Sequence, residues 1–394
     1  MRLAHLADVH LGFRQYYRQT ATGINQREAD VARAFSRAVD GVIAQRPDLV
    51  VVAGDLFHAV RPTNQAIVHC FRQFQRLREA LPRVPIALIA GNHDTPRATE
   101  TGSILRLFQE LGVLVAAEEA EAVPVPELDL MLTLVPHQAL VTGNLRLEPS
   151  GSARHQVLVV HGEVEGLFPL DRWWAEPGGA LLDPQDLARS DWSYVALGHY
   201  HVMREVRERV WYAGALEYHT PNPWGELVEE RKSGARGKGW LLADLATGKV
   251  ERHYLELERR LIDLKPIEAV DHSAEDIDRL IQERLAQVKG GIADQLVRLV
   301  VHDIPRHLIR DLDHAAIRAA KAEALHFHLD LRRPEVRRTI GVGAPGPRQT
   351  LTDVVRGFLA RRPLPEKVDR DQFVDRGVAL LDSVSVEPEM GTGV

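Results

Sequence analysis

Cysteine is nearly absent: Cys70 alone among 394 residues. That excludes an intramolecular disulfide and any Cys-rich zinc site. Cys70 falls in helical register with Ile67, Phe71, Phe74 and Leu77, so a buried core thiol is expected. An excess of positive charge is missing too, with a net charge of −6 and a pI near 6.3. A chain that holds nucleic acid by bulk charge is ordinarily basic, so any such contact must be local. No apolar run approaches the roughly 18–20 residues of a membrane span. The chain opens directly on a strand pattern rather than a signal peptide. A soluble, reducing, cytoplasmic setting is the expectation, with no membrane contact. What the chain does have is 45% hydrophobic residues, enough for a large core, and 18 histidines, several at the ends of predicted strands.

The length suggests two domains plus additions. Residues 1–255 alternate apolar strands with helical patterns, the α/β signature. The strands 3–7, 49–53, 86–90, 131–135, 157–160 and 194–197 are strongly apolar and read as buried on both faces. A helix between the first two carries Val31, Phe35, Val39 and Val42 on one face. Asn25 and Glu28 resemble a capping box at its start. Residues 63–81 and 102–111 read as two further amphipathic helices. From about 256 to 335 the order is strand 261–264, helix 274–288 with Ser273 as N-cap, strand 296–301, helix 307–324 and strand 325–331. That order predicts a small separate α/β domain. Residues 336–348, with GVGAPGP at 341–347, read as a linker. Two short amphipathic helices follow within 349–394, around 351–361 and 372–384, before a frayed tail at 387–394.

Five segments share one layout, an apolar strand running directly into potential metal ligands. They are Asp8-Val9-His10, Gly54-Asp55, Gly91-Asn92-His93-Asp94, His161-Gly162 and Gly198-His199-Tyr200-His201. α/β sheets place ligands beyond the carboxyl ends of their strands, so these ends would meet in one crevice. Carboxylate, imidazole and amide oxygen without thiolate suit Mn, Fe or Zn in a reactive pair. Two ions so close need a shared ligand, which a carboxylate can be and a histidine normally is not. The spacing of Asp8 with His10, and of His199 with His201, puts each pair on one side of an extended segment. Glycines before Asp55, Asn92 and His199 let the chain turn off the strand. Phosphodiester hydrolysis would use such ions to neutralise phosphoryl oxygens and lower the pKa of a bridging water. His93, oriented by Asp94, is expected to donate a proton to the leaving oxygen or to stabilise the pentacovalent centre.

Taken together, D-x-H, GD, GNHD, the later HG and GHxH resemble the calcineurin-like metallophosphoesterase superfamily. Within it, Gly54-Asp55-Leu56-Phe57-His58 resembles the SbcD-type nucleases of DNA double-strand-break repair. So do Tyr212-Ala213-Gly214-Ala215-Leu216-Glu217, Trp224-Gly225-Glu226 and Lys238-Gly239-Trp240. The resemblance implies a sandwich of two central β-sheets flanked by helices, a capping (DNA-binding) domain at 256–335 and C-terminal helices that dock an ATPase. It implies one metal on Asp8, His10, Asp55 and His201, and another on Asp55, Asn92, His161 and His199, with Asp55 bridging. His93 would be catalytic, Asp94 its partner, and His58 a contact to the DNA phosphate. The activity implied is Mn²⁺-dependent hydrolysis of DNA ends, exonuclease and endonuclease, in repair or recombination. The partners implied are an SbcC-type SMC-like ATPase and a second copy in a homodimer.

Other residues draw plainer expectations. His5 and His69, inside a strand and a helix, read as structural. His137 reads as a hydrogen-bonded loop histidine, and His219 lies in a loop after YAGALEY with no role assigned. Arg231, Lys232, Arg236 and Lys238 read by default as a solvated loop, whose place beside the crevice leaves phosphate contact open, with Lys232, Arg236 and Lys238 the DNA-contact candidates. Trp173 and Trp174 suit a stacking contact or a loop anchor equally. A phosphomonoesterase or cyclic-nucleotide phosphodiesterase is the alternative on the same ligands. The long extension beyond 255 and GDLFH argue against it. The complete ligand set argues against an inactive scaffold.

Overall fold

A computed structural model describes residues 1–96, 102–142, 145–167, 179–189, 191–334, 351–362, 364 and 368–385. The chain falls into two compact units, Met1–Pro334 and Glu335–Val394.

The apolar runs form strands, and their order builds two six-stranded sheets. The strands β1 (Arg2–Leu6), β2 (Leu49–Ala53), β3 (Ile86–Ile89) and β4 (Leu114–Ala116) lie side by side and parallel. The next strands, β5 (Glu121–Val125), β6 (Leu130–Val135), β7 (His155–His161), β10 (Tyr194–Gly198), β11 (Arg204–Arg207) and β12 (Val210–Tyr212), make the second sheet, in the order β11-β12-β10-β7-β6-β5. Between β7 and β10 runs a small pair, β8 (Glu163–Val164) and β9 (Leu181–Leu182). The chain then returns to the first sheet as β13 (Gly239–Asp244), antiparallel to β1, and β14 (Val250–Tyr254).

Alternation along each strand explains how the layers pack. Leu3, Leu49, Val51 and Ile89 face the second sheet and join Leu132, Leu134, Val159 and Leu197 in one core. Their neighbours Ala4, Val50, Val52 and Leu88 face outward onto Val31, Phe35, Val39, Phe74 and Leu77. Those five residues lie on the helices Gln26–Gln45 and Asn64–Ala80. Cys70 is fully buried there, as expected. Asn25 caps the first of these helices, accepting from the Arg27 and Glu28 amides. The reciprocal arm of the expected capping box is absent, because Arg14 and the Thr63 hydroxyl take the Glu28 carboxylate. The third expected helix is a 3-10 helix, Ile104–Leu111.

Further on, β15 (Leu261–Asp263), β16 (Ile267–Glu268), β17 (Leu296–His302) and β18 (His326–Leu331) form a sheet centred on β17, with every pairing parallel. The sheet has its own core of Ile277, Ile281, Val297, Leu299, Ile317 and Phe327. Tyr16 stacks on His326 with ring centroids 4.1 Å apart, and Arg259 reaches Asp30 at 2.8 Å. The single helix expected over 307–324 is two, Arg306–Asp311 and His314–Glu323, because Asp313 caps the second by accepting from Ala315 and Ala316.

In the second unit the helices Leu351–Arg361 and Arg370–Ser385 pack on each other, with Val374 and Val378 buried. The expected linker 336–348, the tail 387–394 and Trp173 and Trp174 lie outside the described residues. No helix among the described residues is long and apolar enough to cross a membrane.

Candidate metal centre

Five strands deliver the site, β1, β2 and β3 from one sheet and β7 and β10 from the other. The crevice is therefore the mouth between two sheets. Three backbone bonds zip the first two strand ends together: Asp8 N to Gly54 O at 3.1 Å, His10 N to Asp55 O at 3.0 Å and Leu11 N to Leu56 O at 3.0 Å. Across the mouth, the Asp8 carboxylate accepts from the His199 amide at 2.9 Å.

Backbone strain is concentrated here. Asp8, His10, Asp55 and His199 have φ of 50°, 51°, 51° and 98°. The left-handed region is unfavourable for residues with a Cβ, and it persists where the surroundings over-determine it. The glycines of the motifs serve two needs. Gly54, at φ 89°, supplies a turn. Gly91 and Gly198 are there for space: a Cβ would fall 2.1 Å from Asp55 Oδ1 at the first and 1.9 Å from the Ala53 carbonyl at the second. The sequence-based reason, a sharp turn at all three, therefore holds only in part.

Asp55 lies at the middle of the cluster. Its Oδ2 is 3.4 Å from His10 Nε2 and 3.3 Å from His161 Nε2, while its Oδ1 accepts from the His93 amide at 2.8 Å. His161 donates Nδ1–H to the Ala53 carbonyl at 2.8 Å and turns Nε2 to within 2.9 Å of Asn92 Oδ1. His199 Nδ1 is 3.2 Å from the same Asn92 oxygen. The His201 ring sits edge-on to His10, centroids 5.3 Å apart. All seven candidate ligands are thus gathered, and only Asn92 is not fully within the buried class.

The donor set suits a divalent pair. His10 Nε2 and Asp55 Oδ2 are buried and, beyond the 3.3–3.4 Å approaches among His10, Asp55 and His161, make no hydrogen bond, and such a buried donor-and-acceptor set suits a cation. Asp8, Asp55 and His161 place one ligand atom each within 4.8 Å of one another. Burial works against an ionised Asp55, but His161, His10 and His93 outweigh it and hold the carboxyl well below its usual range. Burial likewise opposes charge on His161, yet Asp55 beside it raises this imidazole to about 9. His10 and His201 are pushed down, first by burial and then by neighbouring imidazoles. They are neutral at pH 7, the form in which an imidazole nitrogen is a ligand.

The residues placed beside the ligands differ in detail from expectation. His58 lies against the site, its Nδ1 3.2 Å from His10 Nδ1 and its ring stacked on His93 at 5.1 Å. His93 is oriented by the His58 carbonyl, which accepts from Nδ1 at 2.7 Å. The Asp94 carboxylate accepts from the Leu56, Phe57 and Gly91 amides at 2.9, 2.9 and 3.3 Å. It latches two strand-end loops together. Adjacency in sequence suggested that Asp94 steers His93, but its side chain points the other way, into the loops.

Lys238 is also not where a solvated loop would put it. It is buried, ion-paired with Glu226 and with Glu230 at 3.3 Å, and donates to the His201 carbonyl at 2.8 Å. Arg231 and Lys232, expected in a solvated loop, lie in the last turn of the helix Pro223–Ser233. Lys232 is exposed and paired with Glu229 at 2.7 Å, and Arg236 is exposed.

His5 is buried with its Nδ1 3.1 Å from the Tyr194 hydroxyl, and His69 lies 2.9 Å from the Ala32 carbonyl. His137 opens the helix His137–Thr142 rather than a loop, and its buried Nδ1 has no hydrogen-bond partner. His219 was assigned no role on sequence, yet it lies inside the cluster, 4.0 Å from His10 and 4.3 Å from His201 between ring centroids. No strand-end motif marks it.

Comparison with known proteins identifies the family. Residues 1–233 match the family model of the calcineurin-like phosphoesterases. The DNA double-strand break repair protein Mre11 of Thermoplasma acidophilum is 26% identical over 314 residues, 76% of each chain. That of Archaeoglobus fulgidus is 27% identical over 323 residues, 74% of this chain and 67% of the relative. A shorter match, 36% identical over 111 residues and 28% of each chain, links it to Mre11 of Methanococcus maripaludis. The chain belongs to the calcineurin-like phosphoesterase family, and it is similar over most of its length to DNA double-strand break repair proteins Mre11.

Proposed function

We propose that this metal-dependent phosphodiesterase hydrolyses DNA at its ends, as exonuclease and endonuclease, with two Mn²⁺ ions and an SbcC-type SMC-like ATPase as its partner, in repair or recombination. The observation that carries the reading is Asp55. One buried carboxylate oxygen faces both His10 and His161, a placement that suits a ligand shared by two ions. In this reading Asp8, His10, Asp55 and His201 hold one ion, and Asp55, Asn92, His161 and His199 the other. The ions, when bound, would supply an activated water and charge for the phosphoryl oxygens.

The chain's own residues do the rest. With Nδ1–H given to the His58 carbonyl, His93 has a fixed ring. Its opposite nitrogen, when protonated, donates to the leaving oxygen. His58, half-buried beside His10 and His93, contacts the phosphate ahead of that step. DNA rather than a small ester is supported by the names of the relatives and by the third sheet and C-terminal helices, which a small substrate does not need. The C-terminal helices are the proposed ATPase dock, the third sheet a capping module for DNA, and exposed Lys232 and Arg236 the proposed phosphate contacts. A homodimer through the catalytic region, with the helix Asn64–Ala80 at the seam, completes the reading.

Purified protein with Mn²⁺ is offered linear double-stranded DNA, a nitrophenyl phosphodiester and a phosphomonoester. Cleavage of DNA and diester is expected, and turnover of the monoester alone rejects the proposal. Asp55→Ala and His199→Ala should abolish all turnover. His93→Asn should keep its metals and lose roughly 10²–10⁴-fold in rate. Full turnover in His93→Asn removes His93 from the mechanism.

A further inference from the structure

Besides the seven candidates, one more imidazole is aimed into the cluster. His219 is 1% exposed and belongs to no strand-end motif. One ring nitrogen from each of His10, His201 and His219 lies within 4.8 Å of the other two. The chain on either side of His219 is clamped: the Tyr218 carbonyl accepts from buried Arg27 at 2.6 Å, and the Thr220 hydroxyl donates to Glu226. The ring is therefore positioned by two separate buried groups rather than resting in a loop.

Its tautomer follows from its partners. A carbonyl oxygen can only accept, so the 3.2 Å contact between His219 Nε2 and the Asp8 carbonyl puts the proton on Nε2. That leaves Nδ1 with a lone pair, buried and without a hydrogen-bond partner. An acceptor in that condition needs a proton donor or a cation, and the rings packed against the His219 ring, His10 and His201, are candidate ligands. His161 repeats the plan in mirror order: it gives Nδ1–H to the strand-end carbonyl of Ala53 and turns Nε2 toward Asp55 and Asn92. Fixing one ring nitrogen on a carbonyl so that the other meets a metal is the usual outer support of a ligating histidine.

We propose that His219 is a further donor, through Nδ1, to the metal position of Asp8, His10, Asp55 and His201. This inference rests on the two-metal reading above. It makes that position richer in imidazole than its neighbour, with His10, His201 and His219 against His161 and His199. The added ligand belongs to one position only, so its removal should affect one ion and spare the other.

The test is Mn²⁺ titration of the full chain, reading free Mn²⁺ by electron paramagnetic resonance, with spin-echo modulation to detect bound imidazole nitrogen. Wild type should bind two ions. His219→Ala should weaken one by 10–100-fold, leave the other within twofold, and reduce the nitrogen modulation by the share of one imidazole. His219→Asn, whose side-chain oxygen lies near the lost Nδ1, should recover part of the affinity and none of the lost share of the nitrogen signal. Thermal unfolding in chelator checks that each variant folds; should Ala unfold, Asn is the deciding variant. Two affinities within twofold of wild type, with the nitrogen signal intact, overturn the proposal and reduce His219 to packing. A wild-type protein that binds no pair of ions, or an Asp55→Ala variant that still binds both, overturns the two-metal reading itself.

Discussion

At Asp94 a single carboxylate accepts three backbone N–H groups, from Leu56, Phe57 and Gly91, that belong to the loops after β2 and β3. Burial, then the charge of nearby Asp55, raises its pKa to about 7, and the three donors pull the other way. An asparagine there offers one oxygen and turns an N–H₂ toward a backbone N–H. Asp94→Asn should lower unfolding free energy by about 2–3 kcal/mol, the cost of leaving buried donors unpaired, as measured by denaturant titration in chelator. Because the same loops carry Asp55 and His93, metal affinity should fall with it. A variant as stable as wild type would show that the latch is dispensable. The GNHD motif made all of these residues visible in sequence, including the aspartate. What it could not show is direction: two adjacent side chains, His93 and Asp94, diverge at a turn, and only the fold decides that a carbonyl from His58 rather than Asp94 holds the catalytic candidate.

Among elements, the strands were the most legible and the helix Pro223–Ser233 the least. Strands such as Leu49–Ala53 are apolar at every position because they are buried on both faces, so no periodicity has to be resolved. The helix was read as a loop although Pro223 stands at its first turn and Gly234 ends it in a left-handed cap. Its buried face explains why: Glu226, Glu229 and Glu230 occupy positions where an amphipathic pattern would put leucines. Three carboxylates can be buried there because Lys238 ion-pairs with Glu226 and Glu230, while Glu229 meets the Tyr200 hydroxyl and Lys232. That arrangement joins residues 12 apart in sequence and is invisible to a pattern search. Lys238→Met would leave two buried carboxylates without their cation and should cost about 3–5 kcal/mol. Adding Glu226→Gln and Glu230→Gln should return most of it, since neutral groups of similar volume need no counter-charge. Equal stability of the single and triple variants would rule out the ion network as what fixes this helix.

For the molecule as a whole, the site exists because two sheets meet, so whatever holds the sheets together holds the site. The sequence supplied the strand ends, but read five of them as one crevice without saying which strand belongs to which sheet; that depends on pairings such as β1 with β13 across most of the first unit. His5 is a seam residue between the sheets, on β1, with its Nδ1 3.1 Å from the hydroxyl of Tyr194 on β10. Complete burial lowers its pKa from 6.5 to about 3, with the Leu197 backbone carbonyl, an acceptor that favours the protonated ring, opposing only in part. In the unfolded chain His5 takes a proton at about 6.5; in the folded one it stays neutral until far lower pH. The unfolded state therefore binds more protons between those values, and folding stability falls as pH drops through that window, by up to about 1.4 kcal/mol per unit. Above pH 6.5 the contribution is fully present and flat. Glutamine at position 5 can still reach Tyr194 but does not titrate. The stability difference between wild type and His5→Gln, followed by denaturant unfolding in chelator, should move by about 2–3 kcal/mol against wild type from pH 6.5 to 4.5. Working from the difference removes the shared effect of His10, His201 and His219, which titrate in both proteins. Parallel stability curves over that range would mean that His5 opens to solvent or finds a stronger proton acceptor at the seam.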